Sequence, residues 1–352
     1  MENETVLPDN FNTSLSTAEE ISQSLRTADA TILAVASIVG LLGNSLVFIS
    51  FCLSRKIRSK TNIFVVNLSV ADFLTCCFLP VIAWSLLVET DQIDSKMDTM
   101  CGFTTAAVQQ LSGCSVLTLT AIAINRYILI TKTLPTYKMV YDHKYMLIWL
   151  TVTWLFPFLP GIVPLLFGVG HLGFDKDLHA CGAKTDNANS HLYDFIFVGI
   201  LIPGPMLVTI FCYVRIYLYI ANHNKHLKQN PAGTRKLRTF NSFRSLFKKC
   251  TKSHQPQISE PELDITQNLF LVVIAFIVFL SPQLVAEILD ASPVVILHTS
   301  ILVTVNSCVN PILYGFKHPV FKEVFKCIIL CRWKAIPQPA FKWMRPLNSK
   351  SG

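Results

Sequence analysis

Seven long apolar segments dominate the sequence and restrict what the chain can fold into. They lie at about 30–53, 62–88, 102–130, 145–168, 193–220, 265–289 and 293–316. Each is longer than the roughly 20 residues that an α-helix needs to cross a hydrocarbon core of about 30 Å. Charged residues form only 15% of the chain, too few to cover the surface of a soluble fold. The sequence therefore predicts an all-α membrane protein, a bundle of seven transmembrane helices that we number spans 1 to 7.

The basic residues lie almost entirely in alternate connecting segments. The segments that follow spans 1, 3, 5 and 7 carry 26 of the 30 Lys and Arg residues. Cytoplasmic segments of membrane proteins are enriched in Lys and Arg, so we expect an extracellular N-terminus and a cytoplasmic tail. Acceptor sequons for N-glycosylation at Asn3 and Asn12 fall in the segment that is expected outside.

The same patterns divide the chain into four parts. Residues 1–29 are predicted to form an extracellular, glycosylated N-terminus, and residues 30–316 the seven-span bundle. Within the bundle, the polar and basic residues 221–263 are predicted to form a long third cytoplasmic loop. An apolar stripe opposed by lysines predicts a short amphipathic cytoplasmic eighth helix at 317–331, and residues 332–352 form the cytoplasmic tail.

Two groups of cysteines have expected roles. Cys101, at the outer end of span 3, and Cys181, between spans 4 and 5, face an oxidising compartment. We expect a disulfide that ties the second outer loop to span 3, with two unrelated thiols as the alternative. Cys327 and Cys331, at the end of the eighth helix, are predicted palmitoylation sites.

Asp72 is the only carboxylate deep within a predicted span. An ionised group at this depth is costly and by default indicates a functional site. Asn306, Ser307 and Asn310 share one face of span 7, and Ser115 in span 3 lies at comparable depth. These oxygens could hold a small hard cation and waters. The alternative is that they form hydrogen bonds between helices.

Asn125-Arg126-Tyr127 lies at the cytoplasmic end of span 3, about 37 Å from Cys101 at 1.5 Å per residue. Glu262 begins span 6 at the same membrane face. An ion pair between Arg126 and Glu262 would hold spans 3 and 6 together, and breaking it would let span 6 swing outward. The alternative is an arginine whose charged end extends to the lipid headgroups.

Several short motifs occur in order along residues 30–330. They are Gly43-Asn44, Asn67-Leu68-Ser69-Val70-Ala71-Asp72, the Cys101 and Cys181 pair, Asn125-Arg126-Tyr127, Pro205 with Tyr213, Phe276 with Pro282, and Asn310-Pro311-Ile312-Leu313-Tyr314 followed by Phe321. In this order and spacing they resemble the rhodopsin-like (class A) G-protein-coupled receptors. Asn-Arg-Tyr and the stretches around it are similar to those of melatonin receptors and of the invertebrate moody and trapped-in-endoderm receptors.

The resemblance implies roles for individual residues. The sodium site of the family matches Asp72, Ser115, Asn306, Ser307 and Asn310. Its activation switches match Arg126, Tyr213 and Tyr314, and we assign to the same machinery Asn125, Tyr127, Leu134, Glu262, Phe276, Pro282, Asn310 and Pro311. Leu134 is expected to enter a pocket on the G protein, or alternatively to be a buried loop residue. Phe279-Leu280-Ser281-Pro282 departs from the family, which usually has tryptophan two residues before the proline.

The ligand-contacting positions of known receptors do not carry over. Melatonin receptors have histidine and glutamine where this chain has Leu201 and Ala183, biogenic-amine receptors have aspartate at Val108, and opsins have lysine at Thr304. The resemblance therefore supports neither melatonin, a biogenic amine nor retinal. The polar side chains best placed for a ligand pocket are Gln109, Gln283, Glu287 and His298, each with interhelical hydrogen bonding as its alternative.

Taken together, the sequence predicts a multi-pass plasma-membrane receptor that transmits the binding of an extracellular ligand to a heterotrimeric G protein. Arrestin and membrane lipids are further expected partners, and neither nucleic acid, enzymatic activity nor a cofactor beyond Na⁺ is expected. The alternative function is a membrane transporter in which Asp72 couples solute movement to an ion or proton. A transporter would favour inverted repeats with broken helices near the midplane, and the sequence contains no internal repeat.

Overall fold

A computed structural model describes residues 22–229, 260–341 and 344. The helices are α1 (Gln23–Leu53), α2 (Lys60–Ser85), α3 (Ser95–Thr131), α4 (Leu134–Val140), α5 (His143–Leu155), α6 (Phe158–Leu166), α7 (Ser190–Leu201), α8 (Pro203–Gln229), α9 (Glu260–Ile288), α10 (Pro293–Lys317) and α11 (Pro319–Ile329). Seven helical units among these residues are long and apolar enough to cross a membrane, which confirms the predicted all-α seven-span bundle. Spans 1, 2, 3, 6 and 7 are α1, α2, α3, α9 and α10.

Spans 4 and 5 each consist of two consecutive helices. Span 4 is α5 followed by α6, with Pro157 at the junction, and span 5 is α7 followed by α8, which starts at Pro203. Proline has no backbone N–H to donate, so the regular hydrogen-bond ladder is interrupted at each junction. Both interruptions lie toward the end of the bundle that the sequence predicts to be extracellular, called the outer half below, where the spans surround a cavity. The opposite end is the one predicted to be cytoplasmic and is named accordingly.

Helix ends differ from the predicted boundaries at several places, including the start of span 3 at Ser95 rather than near residue 102. Span 1 begins at Gln23, where the hydroxyl of Ser22 accepts a hydrogen bond from the backbone N–H of Leu25, rather than near residue 30. Span 5 continues to Gln229 and span 6 starts at Glu260, so helix extends into both ends of the predicted loop 221–263. Asn3 and Asn12 lie outside the described residues.

Span 3 crosses the centre of the bundle and is buried along most of its length. Polar side chains join it to its neighbours where there is no water to satisfy them. Asn67 on span 2 donates to Oγ1 of Thr118 on span 3 at 2.8 Å, and its own oxygen accepts from Nε1 of Trp154 on span 4 at 2.9 Å. Three spans are therefore joined by one amide.

A two-stranded hairpin covers the outer end of the bundle. Strands β1 (Leu172–Asp175) and β2 (Ala180–Ala183) pair antiparallel, with Phe174 opposite Cys181. Cys181 forms the expected disulfide with Cys101 at the start of span 3. Asp98, one turn further out on span 3, accepts from the backbone N–H of Phe174 at 2.8 Å and pairs with Lys184 at 2.8 Å. The hairpin is thus fixed to span 3 by covalent and ionic contacts.

The chain after span 7 turns onto the cytoplasmic face. The eighth helix, α11, is followed by a tail segment that returns to the first cytoplasmic loop. The backbone N–H of Arg55 donates to Gln338 at 2.9 Å, and that of Ala340 donates to Leu53 at 2.8 Å. The hydroxyl of Ser54 also donates to a tail carbonyl. Sequence patterns gave no indication of this tail contact.

His318, between span 7 and α11, is fully buried and caps the eighth helix through a hydrogen bond from the backbone N–H of Phe321. Burial, and then the positive charge of Arg126, lowers the pKa of His318 to about 3. The imidazole is therefore neutral in the folded protein at pH values where an unfolded chain binds a proton. Stability is present above a pH of about 6.5 and is lost as the pH falls from there towards 3.

We expect thermal unfolding of the detergent-purified protein to show this dependence. Between a pH of about 7.5 and about 5.5, the wild type should lose up to roughly 1.4 kcal/mol per pH unit once below the unfolded pKa. His318→Asn retains a capping side chain but does not titrate, so its melting temperature should fall less. His143→Asn, at an exposed cytoplasmic position, serves as the control and should follow the wild type. Equal slopes in all three proteins would contradict the assignment.

Candidate functional site

Asp72 lies in the middle of span 2 and is fully buried. The hydroxyl of Ser115 on span 3 donates to Oδ1 of Asp72 at 2.8 Å, and Nδ2 of Asn310 on span 7 donates to Oδ2 at 2.8 Å. The hydroxyl of Ser307, also on span 7, lies near the same carboxylate. Three spans therefore converge on one carboxylate, as the sequence spacing predicts.

Span 1 joins the same group through Asn44. Its Nδ2 donates to the backbone carbonyl of Ser307 at 3.1 Å. The side-chain oxygens of Asn44, Asn306 and Asn310 are buried, and no described residue donates a hydrogen bond to them. Oxygen atoms that lack donors next to a carboxylate are the ligands that a hard cation such as Na⁺ takes. The residues present therefore fit a sodium ion, although Asn306 makes no direct contact with Asp72 in this arrangement.

Glycine allows span 1 to approach span 7 closely beside this polar group. A Cβ atom at Gly43 would lie 2.7 Å from Cγ of Pro311, closer than real Cβ contacts occur. Pro311 is buried within α10, and its rigid ring has little freedom to move aside. The Gly43-Asn44 and Asn310-Pro311 motifs are thus two sides of one interface.

Asn125 lies at the cytoplasmic end of span 3, and its side-chain amide forms hydrogen bonds with two other segments. The hydroxyl of Thr61 on span 2 donates to Oδ1 of Asn125 at 2.6 Å, and Nδ2 of Asn125 donates to the hydroxyl of Tyr137 on α4 at 3.4 Å. Asn125 therefore joins spans 2 and 3 to the second cytoplasmic loop. Tyr127 is partly buried and packs edge-on against Phe211 of span 5.

Arg126 is buried, with 1% of its surface exposed, in a cluster with two tyrosines. Tyr213 on span 5 lies close enough to interact electrostatically with Arg126. Tyr314 on span 7 interacts in the same way with Tyr213. Both phenols are buried, and among the described residues neither has a hydrogen-bond partner. The three predicted switch residues from spans 3, 5 and 7 are thus brought together. The side chain of Glu262 lies outside the described residues, so its ion pair with Arg126 stays a prediction.

The remaining residues of this machinery lie on two levels. Phe276 on span 6 is buried in the core of the bundle, and Pro282 lies six residues closer to the outer end of the same helix. Leu134 starts α4 and is 51% exposed on the cytoplasmic face, so it is not the buried loop residue of the alternative interpretation. Cys331 is exposed at the end of α11, and Cys327 is partly buried.

The outer half of the bundle encloses a cavity of about 200 Å³ beneath the hairpin. Gln109 and Gln283 line it, as the sequence predicts. The hydroxyl of Tyr193 donates to Oε1 of Gln109 at 2.6 Å, and Nε2 of Gln283 donates to Oε1 of Glu287 at 2.8 Å. Glu287 contacts Gln283 but is not itself among the residues that line the cavity. Both amides also join helices, since Gln109 bonds to span 5 and Gln283 accepts from the hydroxyl of Thr299 on span 7 at 2.6 Å.

His298 is not among the residues that line this cavity. Its Nε2 instead lies 3.1 Å from Oδ2 of Asp29, so the imidazole joins span 7 to span 1. The apolar pattern of the sequence predicts that span 1 starts near residue 30. Asp29 would then lie outside the helix, so the sequence does not indicate it as the partner of His298. The structure therefore assigns His298 to an interhelical contact.

Sequence reasoning also missed two polar residues of the cavity wall. His191 and Asp194, on consecutive turns of α7, both line the cavity. Asp194 lies at the start of the predicted span 193–220. A carboxylate inside an apolar run is the signal that could have identified it. The loop residues of the wall come from the hairpin. No periodic pattern in the sequence predicts its two short strands.

Comparison with known proteins identifies the class to which this arrangement belongs. Residues 43–314 match the model of the 7 transmembrane receptor (rhodopsin family), so the chain belongs to this family. It is a G-protein-coupled receptor, and the family does not support the alternative of a transporter.

The individual relatives are distant. Melatonin receptor type 1B of Mus musculus is 28% identical over 312 residues, covering 86% of this chain and 78% of that protein. G-protein coupled receptor moody of Drosophila melanogaster is 23% identical over 360 residues, covering 90% of this chain and 53% of that protein. The crystal structure of squid rhodopsin superimposes with a TM-score of 0.70 at 18% identity, covering 90% of this chain and 89% of that one. The last comparison shows the shared fold.

Two glycine substitutions test the contact between spans 1 and 7. Gly43→Ala should lower the melting temperature of the purified receptor, since overpacking costs about 1–3 kcal/mol, against a gain of about 1 kcal/mol from helix propensity. Gly199→Ala, in another membrane helix, adds a Cβ with no atom within 4 Å and should leave the melting temperature unchanged or raise it. A rise of equal size in both variants would contradict the close approach.

Proposed function

We propose that this receptor binds its ligand in the outer cavity and passes the occupied state along span 3 to the Arg126, Tyr213 and Tyr314 cluster. The observation that carries the proposal is that Gln109 in the cavity wall and Arg126 lie on one helix, about 26 Å apart at 1.5 Å per residue. A ligand shifts such a bundle only by binding its two states with different affinity. The cytoplasmic end then accepts a heterotrimeric G protein.

The proposed orientation places the N-terminus outside the cell. Its support is the excess of Lys and Arg in the segments after spans 1, 3, 5 and 7, together with the disulfide at the opposite end of the bundle. Glycosylation at Asn3 and Asn12 follows from this orientation.

Further partners are proposed at the cytoplasmic face. The exposed apolar side chains of Ile329 and Leu330 at the end of α11 suit contact with the inner leaflet, and acyl chains on Cys327 and Cys331 would strengthen it. Arrestin is proposed to share the G-protein surface near Leu134. Melatonin, which the names of several relatives mention, is not proposed as the ligand, because Leu201 and Ala183 replace the polar residues of those receptors. We propose no enzymatic activity.

A sodium ion is proposed beside Asp72. The carboxylate, the Ser115 hydroxyl and the side-chain oxygens of Asn306 and Asn310 would supply its protein ligands. A cation in this position neutralises a buried negative charge and joins spans 2, 3 and 7. It therefore stabilises the arrangement in which these spans are closely packed, which we take to be the inactive one.

Sodium should accordingly lower basal nucleotide exchange on Gα in membranes from transfected cells. Replacing choline chloride by NaCl at equal ionic strength should reduce exchange by wild-type receptor several-fold. In Asp72→Asn the salts should be equivalent. Asp29→Asn removes another buried carboxylate of the bundle, distant from the proposed ion, and should retain the effect. A sodium effect of wild-type size in Asp72→Asn would refute the site.

The proposed ion pair between Arg126 and Glu262 has a separate test. Because Asn125 provides no carboxylate beside Arg126, the off state should depend strongly on Glu262. Glu262→Gln should raise basal nucleotide exchange several-fold, as expected for the loss of about 1 kcal/mol from the inactive state. Glu260→Gln removes the same charge from the same helix end and should be close to wild type. If Glu262→Gln showed wild-type basal exchange, the ion pair would not control activation.

A further inference from the structure

Two carboxylates lie beside the outer cavity, one on span 5 and one on span 6: Asp194 lines the wall, and Glu287 accepts a hydrogen bond from Gln283, which also lines it. The outer ends of these spans meet where Nδ1 of His191 lies 3.6 Å from Oδ1 of Asp290. Asp194 lies one turn of α7 deeper than His191, and Glu287 lies in the last turn of α9, which ends at Ile288 two residues before Asp290. Asp194 and Glu287 are close enough to repel each other electrostatically.

Other charged groups near the cavity already have partners. The carboxylate of Asp175 accepts hydrogen bonds from the backbone N–H groups of Asp177, Leu178 and Thr185, so it serves the hairpin. Lys184 is paired with Asp98 outside the cavity. No Lys or Arg is among the described residues that line the wall. The side chain of Asp194 receives no hydrogen bond from the described part of the chain.

A second feature of the cavity, a buried hydroxyl without a partner among the described residues, also indicates a ligand. Thr105 on span 3 lines the wall and is 8% exposed, yet its hydroxyl has no hydrogen-bond partner among the described residues. A buried hydroxyl without a partner costs about 1–3 kcal/mol. The surrounding wall is mostly aliphatic and aromatic, with Ile82, Val108 and Phe197 among its members. The cavity thus offers an apolar surface, one hydroxyl to satisfy and a negative edge.

We propose that the cavity binds a small ligand with an apolar body and one cationic group, and that this group lies between Asp194 and Glu287. The inference deepens the proposed function and rests on it. Two like charges in a partly dehydrated site are costly, and a cation between them offsets that cost. This mode differs from that of biogenic-amine receptors, whose span 3 aspartate is replaced here by Val108. The cation would draw the outer ends of spans 5 and 6 together.

Three probes of one shape and different charge test the proposal on the full-length purified receptor. They are 4-phenylbutylamine, the neutral 4-phenylbutanol and the anionic 4-phenylbutyrate, each at about millimolar concentration. The amine should raise the melting temperature by roughly 2–4 °C, as expected for a site that is mostly occupied. The alcohol and the acid should produce less than half of that shift. An equal or larger shift with either of them would overturn the proposal.

Substitutions locate the cation. Asp194→Asn and Glu287→Gln should each weaken the concentration dependence of the amine shift by roughly tenfold or more, as for a charge pair that loses one partner. Asp194→Glu keeps the charge and should retain binding. Asp186→Asn removes an exposed carboxylate from the same outer face and should bind as the wild type does. Melting temperatures without probe show that each variant is folded. Undiminished binding in both Asp194→Asn and Glu287→Gln would refute the assigned position.

The same preparations separate this inference from the proposed function. Basal nucleotide exchange is measured across a panel of Gα subunits, with and without the amine. Exchange without preferential binding of the amine would overturn the cationic ligand and leave the receptor function standing. Amine binding that depends on Asp194, with no exchange on any Gα subunit, would support the cation site and count against the proposed signalling route.

Discussion

A carboxylate inside a hydrocarbon-spanning bundle has to find all its partners within the protein, because no bulk water is available to it. Asp72 satisfies this requirement by drawing Ser115 and Asn310 from two other spans, while Asn44 brings in a third. The relative positions of spans 1, 2, 3 and 7 are therefore coupled to one charge. Span 3 also carries residues of the outer cavity and of the cytoplasmic cluster, so the bond from Ser115 connects this charge to the helix that runs between them.

The sequence predicts those features that the bilayer itself imposes. A crossing helix needs a minimum number of apolar residues, so seven spans can be read from length and hydropathy alone. Helical periodicity places Ser307 and Asn310 on one face at the depth of Asp72, and the structure shows Asn310 hydrogen-bonded to it. Cys101 and Cys181 were identifiable because the charge pattern predicts that both face an oxidising compartment, and the structure shows their disulfide.

Other features depend on how distant segments meet, which no local pattern records. The apolar run locates the hydrocarbon crossing and not the end of the helix, so Asp29 was missed as the partner of His298. Asp194 becomes significant only when span 6 brings Glu287 to it. The tail pairs with the first cytoplasmic loop through backbone groups, as between Arg55 and Gln338, and backbone pairing leaves little trace in side-chain composition.

The hairpin above the cavity affects how fast a ligand exchanges as well as where it binds. Its strands carry part of the cavity wall, and the Cys101–Cys181 disulfide together with the Lys184–Asp98 ion pair holds them against span 3. A ligand below strands held in this way exchanges with the outside by passing beside the hairpin or between the outer helix ends, and not by displacing the hairpin. The rate of that passage sets the residence time, so the duration of a signal depends on the opening that the fixed hairpin leaves as well as on equilibrium affinity.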